Sequence, residues 1–145
     1  MAKPESQLWS KLKEGTLGLG VFWTRLETWA TPGIPDLHGI KGGVSFWLEL
    51  KVSKLKILNK VDLRPHQIAW QTRYSSVGGS VWNLVSHPSS RSLKLFRGER
   101  AMELGEGTKT REPLTPDWET GVPYDWEGLV FFLLTHSQRK KDDEP

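Results

Sequence analysis

The stretch that decides the fold is Gly33-Ile-Pro-Asp36-Leu-His38-Gly-Ile-Lys41-Gly-Gly-Val44-Ser-Phe-Trp47-Leu-Glu49-Leu-Lys51. Gly42-Gly43 between two runs rich in β-branched and aromatic residues is a two-residue hairpin signal. With that loop, Lys41 pairs with Val44, and Asp36 falls opposite Glu49. Side chains so paired stand on one face of the sheet, with Cβ atoms roughly 5 Å apart. Two carboxylates there repel each other and weaken the hairpin, unless convergent oxygens hold a divalent cation between them. Lys51 lies two residues beyond Glu49 and projects from the same face. The intervening Phe46, Trp47, Leu48, Leu50 and Val52 read as a buried central strand. Burying charge is unfavourable unless the charges pair or bind metal. At this point a plain salt bridge from Lys51 to Glu49 or Asp36 and a cation site both remain open.

Outward from this hairpin, residues 4–14 are expected to form a helix, with Pro4 at its first position, Leu8, Trp9 and Leu12 as its apolar stripe and Gly15 at its end. Val21 to Ala30 reads as a strand broken by Thr31-Pro32-Gly33. Strands follow at Ile34–Lys41 and Val44–Val52. A lysine-rich loop leads to a helix from Pro65 to about Val77, ended by Gly78-Gly79, and then to a strand over Ser80–Ser86. The order helix, three strands, helix, strand predicts an α/β (α+β) fold, a mixed central sheet flanked by helices. Downstream, Leu93–Phe96 suggests a short strand, Glu99–Leu104 a turn of helix, residues 105–125 irregular chain and Trp126–His136 a closing helix. Gln138–Pro145 is expected to be a disordered tail.

At 145 residues, 37% hydrophobic and 26% charged, the chain has the composition of one globular domain. The absence of cysteine excludes a disulfide scaffold, a thiol nucleophile and thiolate zinc sites. The longest apolar run, Leu129–Leu134, is too short to span a membrane, and the N-terminus lacks a secretory apolar block. A reducing, cytoplasmic setting is the expectation. The net charge is only +3, but Lys41 to Arg73 carries seven cations against Glu49 and Asp62. Such a segment suits a polyanion and equally suits a solvated loop.

Other residues extend the candidate site. Glu5 shares the stripe of Leu8, Trp9 and Leu12, where a carboxylate is either a ligand or a helix-start acid reaching back to water. Glu27, beside Arg25, is a rival third acid. Gln67 and Gln71, one turn apart, are either hydrogen-bond donors to a water or phosphate near the acids or simply solvated amides. His38 faces Trp47 across the hairpin and stands two residues from Asp36; His66, His87 and His136 have no metal-ligand spacing. No nucleophile elbow, Walker loop, dinucleotide fingerprint or His-Glu-x-x-His is present.

Pro35-Asp36 followed by Glu49-Leu50-Lys51 resembles the signature of the PD-(D/E)xK nuclease superfamily. The similarity runs through Glu5-x-x-Leu8-Trp9, Arg25-Leu26-Glu27, Pro32-Gly-Ile-Pro-Asp36, Trp47-Leu-Glu49-Leu-Lys51, Leu63-Arg-Pro-His-Gln67 and Gly78-Gly79. This order is similar to the VRR-NUC and Holliday-junction-resolvase-like branch, including small phage proteins, and covers about residues 4–87. The resemblance implies a restriction-endonuclease-like αβββαβ core over 1–87, with 88–137 as an extension packed on it. It implies a Mg2+- or Mn2+-dependent endonuclease hydrolysing DNA, preferably branched or flapped. Asp36, Glu49 and the Leu50 carbonyl would hold metal, with Glu5 contributing directly or through water. Lys51 would orient or deprotonate water, and Gln67 would support the site. Lys41, Lys54, Lys56, Arg64, Arg73 and His38 would contact DNA. One departure is Arg64 at the cap position before Pro65, where Ser or Thr is expected. A homodimer is implied as well, with Trp118 and Trp126 as interface candidates. The competing reading is a catalytically silent DNA-binding or assembly module, and a weaker one a structural protein with salt-bridged acids.

Overall fold

Two glycines with positive φ, Gly42 (58°) and Gly43 (80°), turn the chain between β2 (Leu37–Lys41) and β3 (Val44–Val52). The computed structural model describes residues 3–26 and 31–142, with side chains through 137. The hairpin register runs from Lys41↔Val44 to Leu37↔Leu48, as expected, and leaves Asp36 one residue beyond the ladder. β1 (Phe22–Arg25) pairs antiparallel with β2. Beyond β3, helix α2 (Pro65–Ser76) returns the chain to β4 (Val81–His87), which lies parallel to β3 with Glu49 beside Asn83. β5 (Ser92–Arg97) and β6 (Trp118–Gly121) complete a sheet in the order β1-β2-β3-β4-β5-β6, antiparallel except at β3–β4. The mixed sheet flanked by helices is thus observed.

Alternation along the strands divides the apolar residues between two faces. Leu37, Phe46, Leu48, Leu50, Leu84, Leu93 and Leu95 point to one face, where α1 (Pro4–Gly15) contributes Leu8 and Leu12 and α4 (Trp126–Asp142) contributes Leu129 and Leu133. Replacing such a fully buried leucine with alanine typically costs about 2–5 kcal/mol, so α4 is integral to this core. On the other face Val85 and Phe96 pack with Leu58, Val61, Leu63 and the short helix α3 (Ala101–Glu106).

Several boundaries differ from expectation for identifiable reasons. β2 starts at Leu37 rather than Ile34, because Pro35 has no N–H to donate and Gly33, at φ 92°, turns away from extended pairing. Residues 105–125, expected to be irregular, contain edge strand β6; its four residues are too few to show a period. α4 continues to Asp142, past the expected end at His136, and so includes residues 138–142 of the expected tail. Arg64 does not prevent α2 from starting at Pro65, since Gln67 Oε1 accepts the Arg64 N–H at 3.0 Å and supplies half of a capping box. Trp118 and Trp126 pack on their own core, Trp118 near Phe132 and Trp126 edge-on to Tyr124, and both rings stay half-buried.

Gly33 is a sensitive position. A Cβ there would lie 2.4 Å from the His66 carbonyl oxygen and 3.2 Å from Trp70 Cβ, and the backbone already occupies φ 92°. Gly33→Ala is therefore expected to push residues 31–36 off the first turns of α2, at a cost of roughly 1–3 kcal/mol. Thermal unfolding checks the loss, and backbone shifts at Asp36 in an NMR spectrum check that the displacement reaches it.

Candidate active site

The C-terminal ends of β3 and β4 and the N-termini of α1 and α2 enclose a cleft of about 890 Å3. Asp36, Glu49, Leu50, Lys51 and Gln67 line it together. Asp36 is held by its flanks: its carbonyl accepts the Leu26 N–H and its Oδ2 accepts the Leu50 N–H, both at 2.9 Å. A residue at the mouth of a hairpin thereby becomes a fixed carboxyl group pointing across β3.

Glu49 is 3% exposed. Its Oε2 accepts Gln67 Nε2 at 3.1 Å and stands 3.8 Å from Lys51 Nζ. Among the described residues its Oε1 is buried and has no hydrogen-bond partner, while the Asp36 backbone and carboxyl also act on the Glu49 carboxyl. Gln67 is oriented from three sides, because its Oε1 also accepts Lys51 Nζ at 3.1 Å and the Arg64 N–H. One amide thus ties the start of α2 to both an acid and the lysine.

The electrostatics follow from this crowding. Burial first, then the Asp36 charge, pushes the Glu49 carboxyl up to about 8, against the opposing pull of Lys51. Burial likewise raises Asp36, opposed by the Leu50 N–H, Lys51 and Arg25. Lys51 alone does not neutralise two acids, and an unpartnered carboxylate oxygen in low dielectric is costly. A hard divalent cation, which takes carboxylate and carbonyl oxygens, fits this donor set.

The remaining candidates divide. Glu5 lines the cleft, but among the described residues no three His, Cys, Asp or Glu side chains stand close enough to form a metal-binding group, so Glu5 does not close a cage with the acid pair. Glu27 lies outside the described residues. Lys54 and Arg64 line the cleft. Lys41 does not: it sits at the opposite end of β2, and its Nζ donates to the Leu19 carbonyl at 2.6 Å. Lys56 borders a separate hollow with Ile57, Asn59 and Arg111, and Arg73 is exposed in the last turn of α2. Strand length places Lys41 and helix length places Arg73 away from the cleft, while Lys56 lies on the loop beside Leu55. His38 packs edge-on against Trp47 at 4.9 Å, and burial pushes its imidazole below the ordinary histidine value.

Sequence reasoning missed Lys3, Arg25, Lys60 and His66 on the cleft wall. Arg25 is anchored there by donating to Ser6 Oγ at 3.1 Å. It also missed Asn83, fully buried beside Glu49, whose amide exchanges two 2.8 Å hydrogen bonds with Gln71. A lone amide within Val81-Trp-Asn83-Leu-Val85 was the available signal, since a buried polar group requires a partner. This pair seats α2 on β4, and Gln67, one turn earlier, inherits that placement. Gln67→Leu is expected to lower metal affinity or turnover about 10–100-fold, the usual effect of losing a group that orients a ligand. Manganese calorimetry and, for turnover, single-turnover kinetics read the two effects separately.

With this geometry established, comparison with solved structures finds a Holliday junction resolvase from Archaeoglobus fulgidus. It aligns with a TM-score of 0.50 over 65% of this chain and 77% of that chain, at 15% identity. A VRR-NUC domain aligns with a TM-score of 0.47 over 59% of this chain and 87% of the other, at 29% identity. The resolvase likeness shows a shared fold. No family model and no curated protein matches the sequence.

Proposed function

We propose that the chain is a divalent-metal-dependent endonuclease that hydrolyses phosphodiester bonds of branched or flapped DNA. The observation that carries this reading is the buried Glu49 Oε1, unpartnered among the described residues, beside Asp36 at the floor of a cleft whose walls present Lys3, Arg25, Lys54, Lys60 and Arg64. The salt bridge from Lys51 reaches only Glu49 Oε2, at 3.8 Å, and one lysine does not balance two acids; a simple DNA-binding groove gains nothing from buried acids that repel phosphate. The fold shared with a Holliday junction resolvase adds support for a branched substrate.

Asp36, Glu49 and the Leu50 carbonyl would hold Mg2+ or Mn2+, with Glu5 reaching through water. A bound ion supplies Lewis-acid polarisation of the phosphate and an acidified water. The chain itself does the rest. Lys51 Nζ, steadied by Gln67, orients the attacking water and offsets charge growing on the phosphate. The wall cations hold the flanking backbone, which makes binding salt-dependent. We assign residues 1–87 to the nuclease core and 88–137 to an extension of a VRR-NUC, resolvase-like, phage-type branch, acting as a homodimer in the cytoplasm. No helix among the described residues is long and apolar enough to cross a membrane.

The test is cleavage of four-way, flap and linear DNA with Mg2+, Mn2+ or a chelator. Cutting is expected only with metal and mainly on branched forms. Metal-indifferent binding without cutting would favour the silent DNA-binding module instead.

A further inference from the structure

The catalytic face carries a second feature that the proposed chemistry does not use. One pleat before Glu49 on β3, about 7 Å along the strand, Trp47 points to the same side of the sheet. Its ring meets His38 at 4.9 Å, Trp70 at 5.6 Å and Tyr74 at 6.4 Å, and Trp70 and Tyr74 lie stacked at 4.7 Å with 15° between their planes. His66, on the cleft wall, is one turn before Trp70 on α2. The rings therefore form a continuous path away from the carboxylates.

These rings are not a sealed core. Phe46 and Phe96 are 1% and 0% exposed, whereas His38, Trp47, Trp70 and Tyr74 all remain partly open to solvent. The sheet beside them is open too: Phe22 is 70% exposed, and Thr24 and Ser45 are exposed. The cleft supplies cations for phosphates, and the adjoining rings are half-buried, with Tyr74 stacked on one face of Trp70. That combination, a basic groove flanked by aromatic side chains, is how single strands are held irrespective of sequence. A paired base already has neighbours on both faces and cannot use such a platform; an unpaired one can.

We propose that the His38–Trp47–Trp70 surface receives an unpaired nucleobase of the strand whose phosphate lies over Asp36 and Glu49. The inference rests on the nuclease reading and names its substrate class: DNA with an unstacked nucleotide next to the scissile phosphate, as at a flap or a junction crossover. Continuous duplex reaches the cations and leaves the rings empty.

The experiment places 2-aminopurine either in the unpaired nucleotide beside a flap branch or at the matched position of a duplex. Full-length protein is titrated in the presence of chelator, so that no cutting intervenes. Fluorescence of the unpaired probe is expected to fall on binding, and that of the paired probe to stay unchanged. Trp70→Leu and His38→Ala are expected to weaken flap binding about tenfold, the scale of one lost stacking contact, with duplex binding unaltered. Trp70→Phe, which keeps an aromatic face, is expected to restore most of the flap preference and controls for folding. Equal losses on flap and duplex, or no change of the unpaired probe, overturn the proposal. So does a sedimentation shift from dimer to monomer in Trp70→Leu with flap binding intact, which would assign the surface to a second copy of the chain. Probe quenching without cleavage in any metal leaves the platform standing and removes the nuclease reading.

Discussion

Asp36→Ala is expected to lower metal-dependent cleavage by about 10³-fold or more, on the order of 4 kcal/mol of transition-state stabilisation. The loss is expected in kcat, because phosphate binding by Lys54, Lys60 and Arg64 survives. The fold survives as well. Asp36 lies one residue outside the β2–β3 ladder, and its Oδ2 accepts one backbone N–H, that of Leu50. Removing it also removes a charge that pushes Glu49 up. The variant is therefore expected to keep its circular dichroism spectrum and to bind flap DNA at least as tightly as the wild type in chelator. Equal cutting by wild type and variant would show that the acid pair is not the catalytic centre. Loss of fold in the variant would show instead that Asp36 is structural.

The second large effect is a dependence of stability on pH that metal reverses. The folded-state value of Glu49, about 8, lies above the ordinary 4.5. Between those values the native state therefore binds a proton that the unfolded chain has released. Stability then falls as pH rises from about 4.5 to about 8, and flattens above. The raised Asp36 carboxyl acts in the same direction. Without metal, the melting temperature is expected to be higher at pH 5.5 than at pH 8, by several degrees for a chain of this length. Saturating Mn2+ binds the ionised pair, so its stabilisation is expected to grow over the same interval and to reduce or invert the slope. Glu49→Gln removes most of the metal-free slope and the manganese effect together. Calorimetric melts at four pH values, with and without Mn2+, read all of this without any DNA. A flat metal-free profile in the wild type would mean that Glu49 is not held in an apolar, acid-crowded position.

Much of this site was legible in sequence because a two-residue loop and a strict alternation of side chains leave little freedom. Gly42-Gly43 determines which residues face each other, and from that alone Asp36, Glu49 and Lys51 fall on one surface. Gln67 was legible as a member of the ordered motif set, but its three-way role as cap, acid partner and lysine partner was not. That role depends on where α2 lands, and the Gln71–Asn83 exchange determines the landing across residues 12 apart. Charge alone does not say which cations border the cleft: Lys41, Lys56 and Arg73 are as basic as Lys54 and Arg64, yet of these five the latter two line it.

From its sequence alone this chain determined its local geometry: the hairpin register, the helix starts at Pro4 and Pro65, and the meeting of two acids and a lysine in a buried strand. Those outcomes depend on turn chemistry and on a period of two, which act over a few residues. Tertiary structure alone decided which distant cations wall the cleft, that β6 closes the sheet, that Glu49 Oε1 has no partner among the described residues, and that a half-buried aromatic surface adjoins the acids. These depend on how helices seat against a sheet, and seating is governed by the summed packing of residues far apart in the chain.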